Sequence, residues 1–226
     1  MCFNDWATAS GDERSDRFSA SYWSAWHPSD MRGRRVNICA LCLDADEKPY
    51  LRRDWFLGWL DVCPVHRVRM QYYCSKCHSI LRAPRLNAET ALDATRCGKC
   101  QSRVWKPLKA AMTQAAHPAA MEMQAALMAV KRAGRGHVPG LGLLTWTATM
   151  TFADGLLGEV WKHGKGRNYE PFLRLVRHDL ELDHGDAGVV HWHRNYGGLM
   201  ILSWLFSDLT ERTSLMRQIL DENTEK

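Results

Sequence analysis

Seven cysteines and one histidine stand in the string Cys39-x2-Cys42-x20-Cys63-x2-His66-x7-Cys74-x2-Cys77-x19-Cys97-x2-Cys100. Thiolates and imidazoles at this spacing bind metal. Two residues between donors form a turn whose backbone amides point at the sulfurs, so each Cys-x-x-Cys or Cys-x-x-His unit wraps one edge of an ion. Four half-sites complete two tetrahedral shells, which predicts two structural zinc ions per chain. With every coordination position filled by protein, no open position remains for a water nucleophile.

The alternative use of so many cysteines is a disulfide framework, which belongs to oxidising compartments. The amino-terminal Met1-Cys2-Phe3-Asn4-Asp5 lacks the charged-then-apolar layout of a secretory signal. No uninterrupted apolar run reaches the roughly 18 residues of a membrane span. The expectation is therefore a cytoplasmic protein whose cysteines hold metal, with no membrane partner. Cys2 stands outside every pair and has no assigned role.

Pairing of the half-sites is less constrained than their existence. A cross-brace of the RING type joins the first half-site to the third and the second to the fourth. It normally sets the middle two only two or three residues apart. Here seven residues separate His66 from Cys74, which favours sequential pairing: Cys39, Cys42, Cys63 and His66 on one ion, then Cys74, Cys77, Cys97 and Cys100 on the other.

The elements that must position these donors follow from the surrounding pattern. The expected fold is a small zinc-stabilised domain of mixed, largely irregular structure over 39–106, built as two tandem knuckles. An α-helical bundle over 107–226 follows. Residues 1–38 form an amino-terminal extension that packs on the zinc domain through aromatics such as Trp6, Tyr22, Trp23 and Trp26. Within the zinc domain, 52–60 reads as a short helix that buries Leu51, Trp55 and Trp59. In the bundle, a helix over 118–133 starts on a proline and stops at a basic turn before Gly134. A loop over 134–140 precedes a buried apolar helix over 141–161. A third helix spans 170–180 and a fourth 195–221, the last with its stripe at Leu199, Leu202, Leu205, Phe206 and Leu209.

Charge is distributed unevenly. Residues 31–110 carry sixteen basic and seven acidic side chains, whereas 111–226 carry twelve and thirteen. Four thiolates around a divalent ion net −2, and three with a neutral imidazole net −1, so about +6 remains on the cysteine segment. Such a surface suits an anionic partner, DNA first among them. The candidate phosphate contacts are Arg67 and Arg69, directly after a ligand, with Arg52, Arg53, Arg34, Arg35, Arg82 and Arg85 around them. Arg32 and Arg103 belong to the same set.

The stretches Cys39-Ala40-Leu41-Cys42-Leu43-Asp44, Pro49-Tyr50-Leu51-Arg52, Trp55, Cys63-Pro64-Val65-His66, Cys74-Ser75-Lys76-Cys77 and Cys97-Gly98-Lys99-Cys100 resemble the TniQ family of transposition targeting proteins. So does the later Arg194-Asn195-Tyr196-Gly197-Gly198-Leu199, with Ser203 to Asp208. Ala40 and Ser75 stand where that family usually has proline. The resemblance implies a non-enzymatic, zinc-binding adapter for DNA transposition or recombination in a bacterial cytoplasm. Such adapters recognise DNA or bind a guide-RNA CRISPR effector complex, and pass the target to an AAA+ ATPase regulator. The first 38 residues leave little room for the helix-turn-helix that such proteins often carry in that region. A homodimer is a further expectation.

Two readings compete with the adapter. One is a zinc-containing protein-interaction module, RING-like or otherwise, that does not bind DNA. The other is a metal-assisted nuclease using Asp179, Asp183, Asp186, His184, His191 and His193, although their turn-like surroundings fix no common spacing. Gly164-Lys165-Gly166 lacks the rest of a phosphate loop. No nucleophile with a partnered base is discernible, and the regular x2 spacing selects Cys77 over the adjoining His78 as ligand.

Overall fold

The computed structural model describes residues 36–81, 95–103, 115–162, 169–182 and 194–221. The chain divides into two compact units, Met1–Ala116 and His117–Lys226. The expected packing of 1–38 falls almost wholly outside the described residues.

Among its described residues the first unit has little regular structure. It contains a one-and-a-half-turn helix α1 (Ala40–Ala45) and a 3-10 turn (Arg53–Phe56). Isolated bridges pair Ile38 with Gln71, Val62 with Arg69, Val68 with Ala115, Tyr73 with Ile80 and Arg96 with Arg103. The segment at 36–38 is the seam. Ile38 and Gln71 exchange both backbone hydrogen bonds, at 2.6 and 2.8 Å, and Asn37 N–H donates to the Trp55 carbonyl at 2.9 Å. The buried Asn37 amide donates to the Leu60 carbonyl at 2.6 Å and to Asp61 Oδ1 at 3.0 Å. That leaves no unmatched donor on a side chain that would be costly to bury alone.

Trp55 and Trp59 are both buried, as the sequence suggests, but Leu51 is only half-buried and 52–60 is not a helix. The 3-10 turn ends at Leu57, whose extended backbone starts a second tight turn closed by Leu60 N–H on the Leu57 carbonyl at 3.1 Å. The reason lies in the apolar pattern: Trp55, Leu57, Trp59 and Leu60 are all buried. A single helical stripe covers positions three and four apart and cannot bury these four together.

Among its described residues the second unit is helical with one hairpin. Helix α2 (Pro118–Ala133) has His117 as its cap, with Nδ1 accepting from Ala119 N–H at 3.2 Å, and Pro118 in its first turn. It ends at Gly134 in the left-handed region. Strands β1 (Arg135–Val138) and β2 (Gly142–Thr145) then pair antiparallel, Arg135 opposite Thr145 and Val138 opposite Gly142. This corrects the expected loop over 134–140 and the helix expected from 141. Gly140 and Gly142 take φ of +72° and +80°, which turns the chain back at once. The helix begins only at α3 (Trp146–Lys162), where Thr145 Oγ1 accepts from Ala148 N–H at 3.2 Å.

Helix α4 (Tyr169–Asp179) follows, then α5 (Arg194–Ser207) and α6 (Leu209–Asp221). The last two replace the single helix expected over 195–221. Asp208 interrupts it by accepting Glu211 N–H on Oδ1 at 3.1 Å, while Ser207 Oγ donates back to the Trp204 carbonyl at 2.7 Å. Both are local side-chain bonds that compete with a continuous helix. Helix α5 is buried on nearly every side from Gly197 to Phe206 and packs against α2, α3, α4 and α6. A helix apolar all round belongs at the centre of a bundle. Among the described residues no helix is long and apolar enough to cross a membrane.

Gly140 gives a sharp test of this packing, because a Cβ there would sit 1.9 Å from the Phe206 carbonyl oxygen on α5, whereas one at Gly142 meets nothing within 4 Å. Gly140→Ala is expected to cost about 2–4 kcal/mol and lower the Tm of the helical unit by roughly 5–10 °C. Gly142→Ala should cost only about 1 kcal/mol, for its left-handed backbone. Thermal unfolding of the two variants by circular dichroism checks the ordering; equal losses would contradict the close approach.

Candidate metal centres

Three of the four half-sites are copies of one backbone device. In Cys63–Arg69 the Cys63 N–H donates to the Val68 carbonyl at 2.9 Å and the Arg67 N–H to the Cys63 carbonyl at 2.8 Å. The same two bonds recur at Cys74, with Ser79 and His78 at 2.8 and 2.8 Å, and at Cys97, with Ser102 and Gln101 at 2.9 and 2.9 Å. Arg67, His78 and Gln101 take φ of 55°, 54° and 57°. The left-handed residue bends the chain just after the second donor, so both donors of each knuckle face the same point. The remaining half-site is helical: Cys39 precedes α1, Cys42 lies in it, and Leu43 N–H donates to the Cys39 carbonyl at 3.1 Å.

These devices bring the donors together in sequential order. Cys39, Cys42, Cys63 and His66 form one cluster and Cys74, Cys77, Cys97 and Cys100 the other, with the ligand atoms of each within 4.8 Å of one another. In the first, His66 Nδ1 lies 3.6, 3.2 and 3.7 Å from the sulfurs of Cys39, Cys42 and Cys63, and Cys42 Sγ lies 3.5 Å from Cys63 Sγ. In the second, the Cys74–Cys100 and Cys77–Cys97 sulfur pairs are each 3.6 Å apart. Sulfurs about 2.3 Å and an imidazole nitrogen about 2.0 Å from a central ion give tetrahedral edges of about 3.5–3.8 Å. Both clusters fit a tetrahedrally bound ion. A RING cross-brace would need the first and third half-sites on one ion, and they are in different clusters.

The protonation of the thiols shows what the clusters lack without a cation. Cys63 is pulled down to about 4, first by the hydrogen bond from Cys39 and then by backbone N–H groups at His66 and Val65, against its burial. Cys39 is pushed far up, first by that same bond with Cys63 and then by burial, and Cys42 is pushed up to about 11 by burial and by Cys63. In the second cluster, burial raises Cys74, while Cys97 falls to about 6, where Ser79 and backbone amides outweigh its burial, and Ser102 lowers Cys100. A divalent ion bound there would displace the remaining protons.

Ser79 and Ser102 are the residues that ligand spacing alone does not single out. Ser79 Oγ lies 3.0 Å from Cys77 Sγ and 3.3 Å from Cys97 Sγ; Ser102 Oγ lies 2.8 Å from Cys100 Sγ and 3.6 Å from Cys74 Sγ. The signal was present as a short repeat, Cys-x-Lys-Cys-x-Ser, at 74–79 and again at 97–102. His78 stacks on Tyr73 with centroids 6.4 Å apart, and Cys77 takes the place in the cluster.

The candidate phosphate contacts divide. Arg67 and Arg53 are exposed, and Arg69 is half-buried in its bridge with Val62. Arg52 is committed inside the unit: its guanidinium donates to both Asp46 oxygens, at 3.0 and 2.8 Å, and lies 4.8 and 4.9 Å from the Tyr50 and Trp55 rings. Exposed Arg103 sits in its bridge with Arg96. Arg32, Arg34, Arg35, Arg82 and Arg85 fall outside the described residues.

Of the acidic and histidine set, Asp183, His184, Asp186, His191 and His193 also fall outside them. Asp179 is saturated. Its Oδ2 accepts from Trp204 Nε1 at 2.9 Å and pairs with Arg212, whose guanidinium lies 4.9 Å from the Trp204 ring centroid. Those contacts, the Trp204 bond foremost, hold its carboxyl below the usual range. Asp179 ties α4, α5 and α6 together rather than facing a metal.

Residues 2–70 match the family model of TniQ. The matched stretch contains the whole first centre, whereas the second centre and the helical unit lie beyond it. No curated protein matches the chain. No solved structure matches it either.

Sequential clusters make the two centres separable. Metal analysis should find two ions per chain, falling to one in Cys63→Ala and to one in Cys97→Ala, since each change removes a donor from a single cluster. Affinity should rise with pH, because thiols held above neutrality must lose protons to bind. Calorimetry in buffers of different ionisation enthalpy should register proton release; pH-independent binding would contradict the thiol assignment.

Proposed function

We propose that this chain is a non-enzymatic, zinc-binding adapter that directs DNA transposition or recombination. The observation that carries the reading is the closed Cys39–Cys42–Cys63–His66 shell lying inside the stretch matched by the TniQ family model. Zinc suits the donors: sulfur-rich tetrahedral shells select it over magnesium, calcium or manganese, which prefer oxygen. Both shells are complete without water, so the ions hold knuckles in place rather than activate a nucleophile. Cys39, Cys42, Cys63 and His66 hold the first zinc; Cys74, Cys77, Cys97 and Cys100 hold the second.

The remaining positive charge on the first unit supports DNA or a DNA-bound targeting complex as partner. Arg67 and Arg69 are the leading contacts. Arg67 is presented by the left-handed bend just after His66, and Arg69 continues that segment in the bridge to Val62. An AAA+ ATPase regulator, and in one version of this reading a guide-RNA CRISPR effector complex, follow from the TniQ resemblance. The helical unit supplies a surface for such partners, in a cytoplasmic setting. The nuclease reading loses its one described carboxylate, since Asp179 is engaged by Trp204 and Arg212.

The test is a gel shift with metal-replete protein across a salt series. Arg67→Glu with Arg69→Glu should weaken duplex binding about tenfold or more and flatten the log-affinity against log-salt slope by about 1–2. Unchanged affinity and slope, with both metals retained, would remove this surface.

A further inference from the structure

The second centre carries one more negative charge than the first, because four thiolates replace three thiolates and a neutral imidazole. Its two half-sites are related by an approximate two-fold that the bonding pattern makes visible. Exchanging Cys74, Cys77 and Ser79 with Cys97, Cys100 and Ser102 maps each distance onto a close counterpart. The sulfur pairs are 3.6 and 3.6 Å, the serine contacts within a knuckle 3.0 and 2.8 Å, and the crossing contacts 3.3 and 3.6 Å. The Tyr73–Ile80 and Arg96–Arg103 bridges exchange likewise.

We propose that Ser79 and Ser102 act as a reciprocal pair of hydroxyl donors to the thiolates of the second centre, offsetting its extra charge and setting how firmly it holds its metal. The inference rests on the reading of that cluster as a metal site. A metal-bound thiolate has no hydrogen and only accepts, so the single serine hydrogen must point at sulfur. Each hydroxyl lies within reach of a sulfur of its own knuckle and one of the other knuckle, and its one hydrogen serves one of the two at a time. The first centre supplies the contrast. Val68 occupies the serine's place in the knuckle that starts at Cys63, with the same backbone bond from Cys63 N–H. Hydroxyl donors occur where the charge is larger, and an aliphatic side chain where it is smaller.

Hydrogen bonds to a thiolate draw electron density from sulfur, which lowers its nucleophilicity and slows exchange of the ion. The experiment compares full-length wild type with Ser79→Ala, Ser102→Ala, the double alanine variant, and Ser79→Thr with Ser102→Thr. Alkylation of the zinc-loaded proteins by N-ethylmaleimide is followed residue by residue by mass spectrometry. Cobalt(II)-loaded proteins report the sulfur-to-cobalt charge-transfer band.

In the double alanine variant, alkylation of Cys74, Cys77, Cys97 and Cys100 should accelerate about tenfold or more. Cys39, Cys42 and Cys63 should react at the wild-type rate, and the charge-transfer band should move to lower energy. Each single alanine variant should show the same changes to a smaller degree, and threonine should restore wild-type behaviour. Unchanged rates and band positions in the alanine variants would overturn the proposal, as would threonine variants that behave like alanine. If the double variant fails to fold, the single and threonine variants decide by the same criteria. Wild-type protein binding fewer than two zinc ions would instead overturn the metal reading itself.

Discussion

Three or four sulfurs within a few ångströms of one another cannot all carry charge unless a cation sits among them. That electrostatic constraint organises the whole first unit. The hydrogen bond with Cys63 and then burial push Cys39 upward, burial and then Cys63 push Cys42 upward, and the bond from Cys39 pulls Cys63 down. An ion converts this conflict into attraction. It would also supply binding free energy, which for structural metal sites reaches about 10 kcal/mol or more. The described part of the unit has a short helix, a 3-10 turn and isolated bridges around buried side chains such as Trp55, Leu57 and Trp59, and ions held at the two clusters would add to what that packing contributes.

The knuckles turn that electrostatic requirement into backbone geometry. Two carbonyl–amide bonds and a left-handed residue recur at Cys63, Cys74 and Cys97, with a helix end serving at Cys39. Arg52 joins in from the side, linking Asp46 to the aromatic wall of Tyr50 and Trp55 and lowering the Cys42 thiol through its charge, against the dominant effect of burial. Its positive charge serves the first centre's surroundings, which is why a count of arginines overstates what the surface offers to phosphate. The helical unit has its own organising element in α5. Trp204 on that helix stacks edge-on against Phe172 of α4 at 5.7 Å and donates to Asp179, while Arg212 of α6 covers its ring.

Much of this is legible in the residues themselves. Ligand identity follows from spacing, because a donor pair separated by two residues has few ways to face one ion, and the seven residues between His66 and Cys74 favour the sequential pairing. Helix α2 is legible from Pro118 and Gly134, whose preferences at helix ends are strong. The errors arise where apolar pattern outweighs single residues. The run from 141 reads as one buried helix, yet Gly140 and Gly142 fold its first residues into a hairpin. The stripe from Leu199 to Leu209 reads as continuous, yet Ser207 and Asp208 bond locally and split it. Ser79 and Ser102 escape notice because serine beside cysteine is unremarkable until two knuckles face each other.

Arg67, His78 and Gln101 hold a conformation that costs a non-glycine residue about 1 kcal/mol each. In the loaded protein the ions more than outweigh that cost. Without an ion in the first cluster Arg67 would become a spring, and without one in the second His78 and Gln101 would, each relieved as its knuckle opens. Against a total stability of about 5–15 kcal/mol for an ordinary domain, their combined recoil is large enough to matter. A knuckle without its metal would hold its bend only through its two backbone hydrogen bonds, against that strain.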